Sequence, residues 1–313
     1  MRGPDIKRNK MRFVDKVRKY WQLYVFLILP IIWIILFKYV PMAGLQIAFK
    51  NYTPRHGIWE SAWVGVKHFA KFFGSYQFER VVGNTLKLSL YTLIAGFPLP
   101  VFLALLLNSM RAKKYKSFVE NVTYMPHFIS TVVMVGIMVQ LFNVRIGLVP
   151  QLYHRITGDS MIDLFGSAEA FPHLYVWSGI WSSTGWNTVI YMAALASVDP
   201  EQHEAALIDG ASRFQRLLFV DLPAIIPTIT ITLILRFGNI MGIGFDKVYL
   251  MQNELNLRAS EVISTYVYKT GLAAGGGNFS YATAIGMFNS VINLILISIV
   301  NAISRKVGET SLW

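Results

Sequence analysis

Six stretches of this sequence, each mainly apolar, constrain its fold more than any motif does: Trp21 to Met42, Asn84 to Asn108, Phe118 to Phe142, Leu174 to Val198, Pro223 to Phe245 and Tyr281 to Ile303. Crossing about 30 Å of hydrocarbon takes roughly 20 residues of helix, because lipid offers nothing to satisfy backbone N–H and C=O groups. The expected fold is therefore an all-α polytopic membrane protein with six transmembrane helices. Composition agrees, with 15% of residues charged against roughly 25% in soluble domains. The first apolar run follows MRGPDIKRNKMRFVDKVRKY, which resembles the charged start of a signal peptide. The run is longer than the roughly 7 to 15 residues of a cleavable signal and has no convincing cleavage site, so it is kept as a helix.

A net charge of +12 usually suggests nucleic acid or an anionic surface. Here its distribution points to topology and gives no nucleic-acid partner. With a cytoplasmic N-terminus, segments 1–20, 109–117, 199–222 and 304–313 lie inside, and Lys and Arg are more than twice as dense there as in 43–83, 143–173 and 246–280. That is the positive-inside pattern, with both termini cytoplasmic. The expected organisation is a basic N-terminal segment (1–20), a six-helix membrane domain (21–303) with a loop at 199–222, and a short tail (304–313). RAKKYK at 111–116 is read as topogenic charge, with an anionic-lipid site as the alternative. AAGGGN at 273–278 reads as a flexible outside connection.

Catalytic signatures are missing. There is no GxxxxGK[ST] phosphate loop, no HExxH and no GxSxG, there are no cysteines, and the six histidines (His56, His68, His127, His154, His173, His203) are scattered as surface or packing residues. No catalytic residue, metal ligand or cofactor site is assigned to this chain. If ATP drives the system, another chain hydrolyses it.

The loop SVDPEQHEAALIDGASRFQRLLFVDLP carries the most information. Asp199 is a good N-cap, Pro200 suits the first helical position, and Gln202 is placed to reach back to the cap backbone. The helix should stop before Gly210, where glycine adopts the left-handed conformation without a side-chain clash. An isolated helix of this length is marginal in water, so it needs a surface to lie on. Ala205 and Ala206 keep it thin enough to enter a groove, and Glu204 and Asp209 offer charge to a basic partner. Phe214, Leu217 and Leu218 then form an apolar stripe on a second amphipathic helix that ends where Pro223 opens span five.

EAALIDGASRFQRLLFVDLP resembles the EAA motif of ABC importer permeases: Glu204-Ala205-Ala206, Gly210, and Val220-Asp221-Leu222-Pro223, with Val in place of the usual Ile. YMPHFISTVV at 124–133, NFSYATAIGMFNSVINLILISIVNAISRK at 278–306 and the terminal ETSLW resemble the carbohydrate-uptake branch, of the LplB/YteP type and related to MalF. The resemblance implies a MetI-like six-helix permease in a bacterial cell membrane, importing oligosaccharides. It further implies a second homologous permease, an ABC ATPase dimer that binds ATP and Mg, and an extracellular substrate-binding (lipo)protein. Glu204, Ala205, Ala206, Asp209 and Gly210 would couple to the ATPase. Unlike MalF, this chain has too little sequence between spans one and two for a large inserted outside domain.

A charge inside the bilayer is costly unless it faces a cavity or partner. Arg236, near the centre of span five, either meets an acidic substrate or pairs with a carboxylate or helix-end carbonyls of a partner subunit. Span four combines tryptophans with hydroxyl and amide groups, which suits sugars but also suits helix packing. The family resemblance favours the helices flanking the EAA loop, and so assigns substrate binding to Trp181, Ser183, Trp186, Asn187, Arg236 and Asn239. Asn289, Asn293 and Gln140 stand second. Two other readings compete, an ion-coupled secondary transporter and a membrane scaffold without transport. The near absence of carboxylates in the spans argues against the first.

Overall fold

A computed structural model of the chain describes residues 19–273 and 277–308. The basic segment up to residue 18, the middle of the glycine run and the terminal ETSLW lie outside them. Apart from one isolated bridge between Lys50 and Trp63, the described residues form helices and connecting loops. The helices of six residues or more are, in chain order, α1 (Trp21–Phe49), α2 (Lys67–Phe73), α3 (Tyr76–Ser109), α4 (Lys113–Phe128), α5 (Thr131–Leu141) and α6 (Leu148–Thr157). There follow α7 (Ala170–Ala196), α8 (Pro200–Ile208), α9 (Arg213–Gly238), α10 (Phe245–Met251), α11 (Ile263–Tyr268) and α12 (Phe279–Gly308).

Four of these, α1, α3, α9 and α12, are long and apolar enough to cross a membrane. The expected third span is not one straight helix. It is the pair α4–α5, bent by 96°. Hydropathy runs unbroken across the bend, but Pro126 forces a turn of 3-10 helix and Ser130 caps α5 by accepting from Val133 N at 3.3 Å. Helix α7 has 27 residues, about 40 Å of length. Its serines, threonines, asparagine and tryptophans are spread so that it has no unbroken stretch as apolar as those in the other four.

Span five also departs from expectation at both ends. Its start is continuous with the loop, since α9 runs from Arg213 and no separate amphipathic helix ends at Pro223. Proline has no N–H to bond Phe219, and the backbone absorbs the mismatch as a π-turn over Leu217–Asp221, with Leu222 N–H reaching back to Leu217 O. Leu217 packs inward, while Phe214 stays 68% exposed. At the other end α9 stops at Gly238, seven residues before Phe245, and the chain from Asn239 to Gly244 is non-helical.

Three buried apolar clusters hold the helices. One joins Leu88 of α3, Met134 and Met138 of α5, Phe171 of α7 and Val248 of α10. A second joins Phe72, Val81, Met241, Ile263 and Ile285. The third, beside the 199–222 loop, joins Ala104 and Leu105 of α3, Tyr191 and Leu195 of α7 and Ile225 of α9. Close backbone approach matters as much as apolar area when lipid is the solvent. At Gly185 a Cβ would land on the Thr123 carbonyl, so only glycine lets α7 lie this close to α4. Among the long apolar helices α1 stands apart, for no residue from Trp21 to Met42 is buried.

Candidate functional site

The loop helix forms as its sequence dictates. Asp199 Oδ1 accepts from Glu201 N at 3.0 Å and Pro200 occupies the first turn. Gln202 meets Asp199 through its backbone, N donating to O at 3.1 Å, and not through its side chain as expected. The reciprocal capping box appears instead at Ser212, which bonds Gln215 in both directions at 2.8 and 3.3 Å. Gly210 adopts φ +79°. Ala211 N bonds Ala206 O at 2.9 Å and Gly210 N bonds Leu207 O at 3.1 Å, a Schellman closure that satisfies the last carbonyls.

Both ends of α8 are thus fixed, yet none of its residues is buried. His203 and Ala206 face inward. Glu204, Ala205, Asp209 and Gly210 are exposed, and the apolar side chains at the helix end are more so, with Leu207 at 53% and Ile208 at 87%.

The contact that ties α8 to the bundle escaped sequence reasoning. Asp221, 4% exposed, accepts from Asn108 Nδ2 at 3.1 Å, and His203 Nε2 lies 3.2 Å from the same oxygen. The available signal was a single carboxylate just before Pro223, in a stretch otherwise entering the membrane.

The second candidate region lies where α9 breaks off. Non-helical backbone at membrane depth is tolerated only where protein buries it or a wet cavity adjoins it. Here a cavity of about 330 Å³ is lined by Ser89, Tyr175, Arg236, Asn239 and Gly242. A neighbouring cavity of about 450 Å³ is lined by Trp186, Asn187, Tyr191, Thr232 and Arg236. Arg236 and Leu235 belong to both walls, and neither wall includes a carboxylate. Because α9 ends early, Arg236 sits in its last turn, where a cation also complements the helix dipole.

The six residues expected to bind substrate are therefore divided. Trp186, Asn187, Arg236 and Asn239 surround the two adjoining cavities. Trp181 faces a separate apolar cavity of about 460 Å³, with Met134, Met138 and Trp177. Ser183 lines none of the three cavities, and its hydroxyl donates to Gly179 O at 2.7 Å. One face of Trp186 is covered by the His127 ring, parallel within 2° at 4.6 Å between centroids.

Long-range bonds hold the broken segment. Asn293 Oδ1 accepts from Met241 N at 3.0 Å, and Ser89 Oγ donates to Ile240 O. Just beyond it, Lys247 on α10 donates to Tyr175 O at 2.7 Å and lies 4.7 Å from that ring. Burial pushes the Lys247 pKa down to about 8. Of the second-tier residues, Asn293 thus serves the backbone, and the buried Asn289 Oδ1 has no partner among the described residues.

Among the described residues, no group of three or more His, Asp and Glu is arranged to hold a metal ion.

Residues 96–309 match the family described as binding-protein-dependent transport system inner membrane component. The chain is 43% identical over 291 residues to Protein LplB of Bacillus subtilis, covering 93% of this chain and 91% of that protein. It is 40% identical over 307 residues to the polygalacturonan/rhamnogalacturonan transport system permease protein YteP of the same organism, covering 98% and 95%. Among solved structures it resembles a chain of a bacterial ABC transporter involved in the import of the acidic polysaccharide alginate. That match has 36% identity and a TM-score of 0.86, and covers 95% of this chain and all of the other.

Proposed function

The chain belongs to the family of binding-protein-dependent transport system inner membrane components, and from that premise we propose that it is a non-catalytic, multi-pass permease subunit of an ABC importer for oligosaccharides. It works beside a second, homologous permease. An ATPase dimer, which holds ATP and Mg, sits at the cytoplasmic face, and a substrate-binding protein delivers sugar from outside. The six spans are α1, α3, the bent pair α4–α5, α7, α9 and α12, with both termini and the 199–222 loop cytoplasmic.

The observation that carries this reading is α8. It is a helix capped at both ends, with no buried residue and with Leu207 and Ile208 left open to water on a charged loop. Exposed apolar side chains on a rigid, thin helix call for a partner groove. Ala205 and Ala206 let the helix enter that groove, Glu204 and Asp209 meet its positive rim, and Gly210 sets the angle at which the helix leaves the bundle. ATP favours the closed ATPase dimer, and closure displaces α8 and shifts the bundle toward its outward-facing state.

Substrate passes the two cavities at the end of α9, with Trp186, Asn187 and Asn239 offering a ring face and amides. Trp181 and Ser183, placed elsewhere by their surroundings, take part only if the helices rearrange. Arg236 favours a substrate bearing carboxylates: among the described residues its guanidinium has no hydrogen-bond or ion-pair partner, and no carboxylate lines its cavities. The acidic polysaccharide named for the solved relative supports that choice.

The deciding experiment purifies the chain with the ATPase and second permease, reconstitutes them in liposomes and adds loaded binding protein. Loaded binding protein should stimulate ATP hydrolysis and sugar uptake together. A chain that purifies alone and takes up sugar on an ion gradient would sink the proposal.

A further inference from the structure

The carboxylate of Asp221 has no part in the roles above, yet three elements meet at it. It sits in the π-turn of α9, with Asn108 from the end of α3 and His203 from α8 on one of its oxygens. Arg216, on α9 itself, adds a positive charge nearby. A buried carboxylate is expensive unless its hydrogen bonds persist, so removing one partner is resisted. Among the described residues, none of α8 joins an apolar cluster. The His203–Asp221 contact is therefore the specific side-chain tie between the loop helix and the bundle.

We propose that Asp221 is the positioning residue through which movement of α8 reaches the membrane helices. The proposal rests on α8 being the helix that the ATPase moves. Displacing α8 then either draws α9 along through Asp221, with Asn108 and the end of α3 following, or leaves a buried carboxylate with one partner fewer. The bundle responds at the end of two spans at once, which a flexible loop does not achieve.

The test uses the complete transporter in liposomes and follows ATP hydrolysis and sugar uptake in the same sample. His203→Ala leaves the exposed face of α8 unchanged. It is expected to lower sugar taken up per ATP hydrolysed about tenfold, the effect of one lost charge-assisted hydrogen bond, while hydrolysis continues. Adding Asp221→Asn to His203→Ala should do no more than the worse single change, because both cut the same link. His203→Gln, whose amide can still donate, should restore most of the ratio, which a merely structural role does not predict.

An unchanged ratio in His203→Ala with an active wild type, or additive losses in the double variant, overturns the link and leaves the importer reading standing. A wild-type complex that neither responds to loaded binding protein nor takes up sugar overturns both. Should Asp221→Asn fail to fold, the Ala and Gln variants at His203 decide the matter.

Discussion

Helix α8 and the broken segment after Gly238 flank the same membrane helix, and they are built by opposite rules. In α8 the bonds that shape the helix are local, from Asp199 to Glu201 at one end and from Ala206 to Ala211 at the other, and only its attachment, His203 to Asp221, reaches further. In the broken segment the fixing groups arrive from far along the chain, Ser89 reaching Ile240 and Asn293 reaching Met241. The first region is rigid and open to water, which suits a part that another subunit grips. The second is shaped by its neighbours, which suits a wall that changes when the helices shift. A lever can thus be specified by a few consecutive residues, whereas a binding wall depends on how the bundle packs.

Breaking the lever should cost the most. Gly210→Val places a β-branched residue at φ +79°, where open space surrounds the position and only the backbone objects. Left-handed geometry costs an ordinary residue roughly 1–2 kcal/mol, and a β-branched one more. Substrate-stimulated ATP hydrolysis and uptake should fall to background, with Gly210→Asn largely restored. Normal uptake by the Val variant would show that the exit angle of α8 is unimportant.

Next comes the cavity wall. Arg236→Gln should lower the initial uptake rate of a uronate-bearing oligosaccharide about tenfold or more, the scale of one lost charge-assisted pair. A neutral oligosaccharide should be affected much less, and equal losses for both would assign Arg236 to a partner subunit or to the helix end.

A smaller effect is expected from Asp199→Ala, which removes one cap worth about 1 kcal/mol. Uptake should decline a few-fold at most, and thermal unfolding of the bundle should hardly move, as a local and separable element requires.

The smallest effect is a pH slope. Lys247 is lowered to about 8 by burial, so in the folded chain it releases its proton while the unfolded chain still holds one. Stability therefore rises with pH from about 8 toward the ordinary lysine value. The wild-type unfolding midpoint should climb over that window relative to Lys247→Met, and parallel curves would show that Lys247 is not the group that titrates there.

How much of this was legible follows from distance along the chain. The N-cap, the glycine stop and the thin face of α8 were readable because their bonds span two to five residues. The bend at Ser130 was half visible, in Pro126 and a capping serine, but unbroken hydropathy hid it. The early end of α9 was hidden in the same way, since Ile240, Met241 and Ile243 are apolar whether helical or not. Arg236 was legible as a charge out of place, and its last-turn position was not.

An all-helical membrane chain and a capped helix in the loop before span five follow from the residues alone, because hydropathy and capping act over windows of a few residues. Tertiary structure alone decided that Trp181 and Trp186 face different cavities, that Arg236 borders two, and that Asp221 joins α3, α8 and α9. Those arrangements depend on which helix faces pack together, and packing brings together side chains more than a hundred positions apart, as with Asn108 and Asp221.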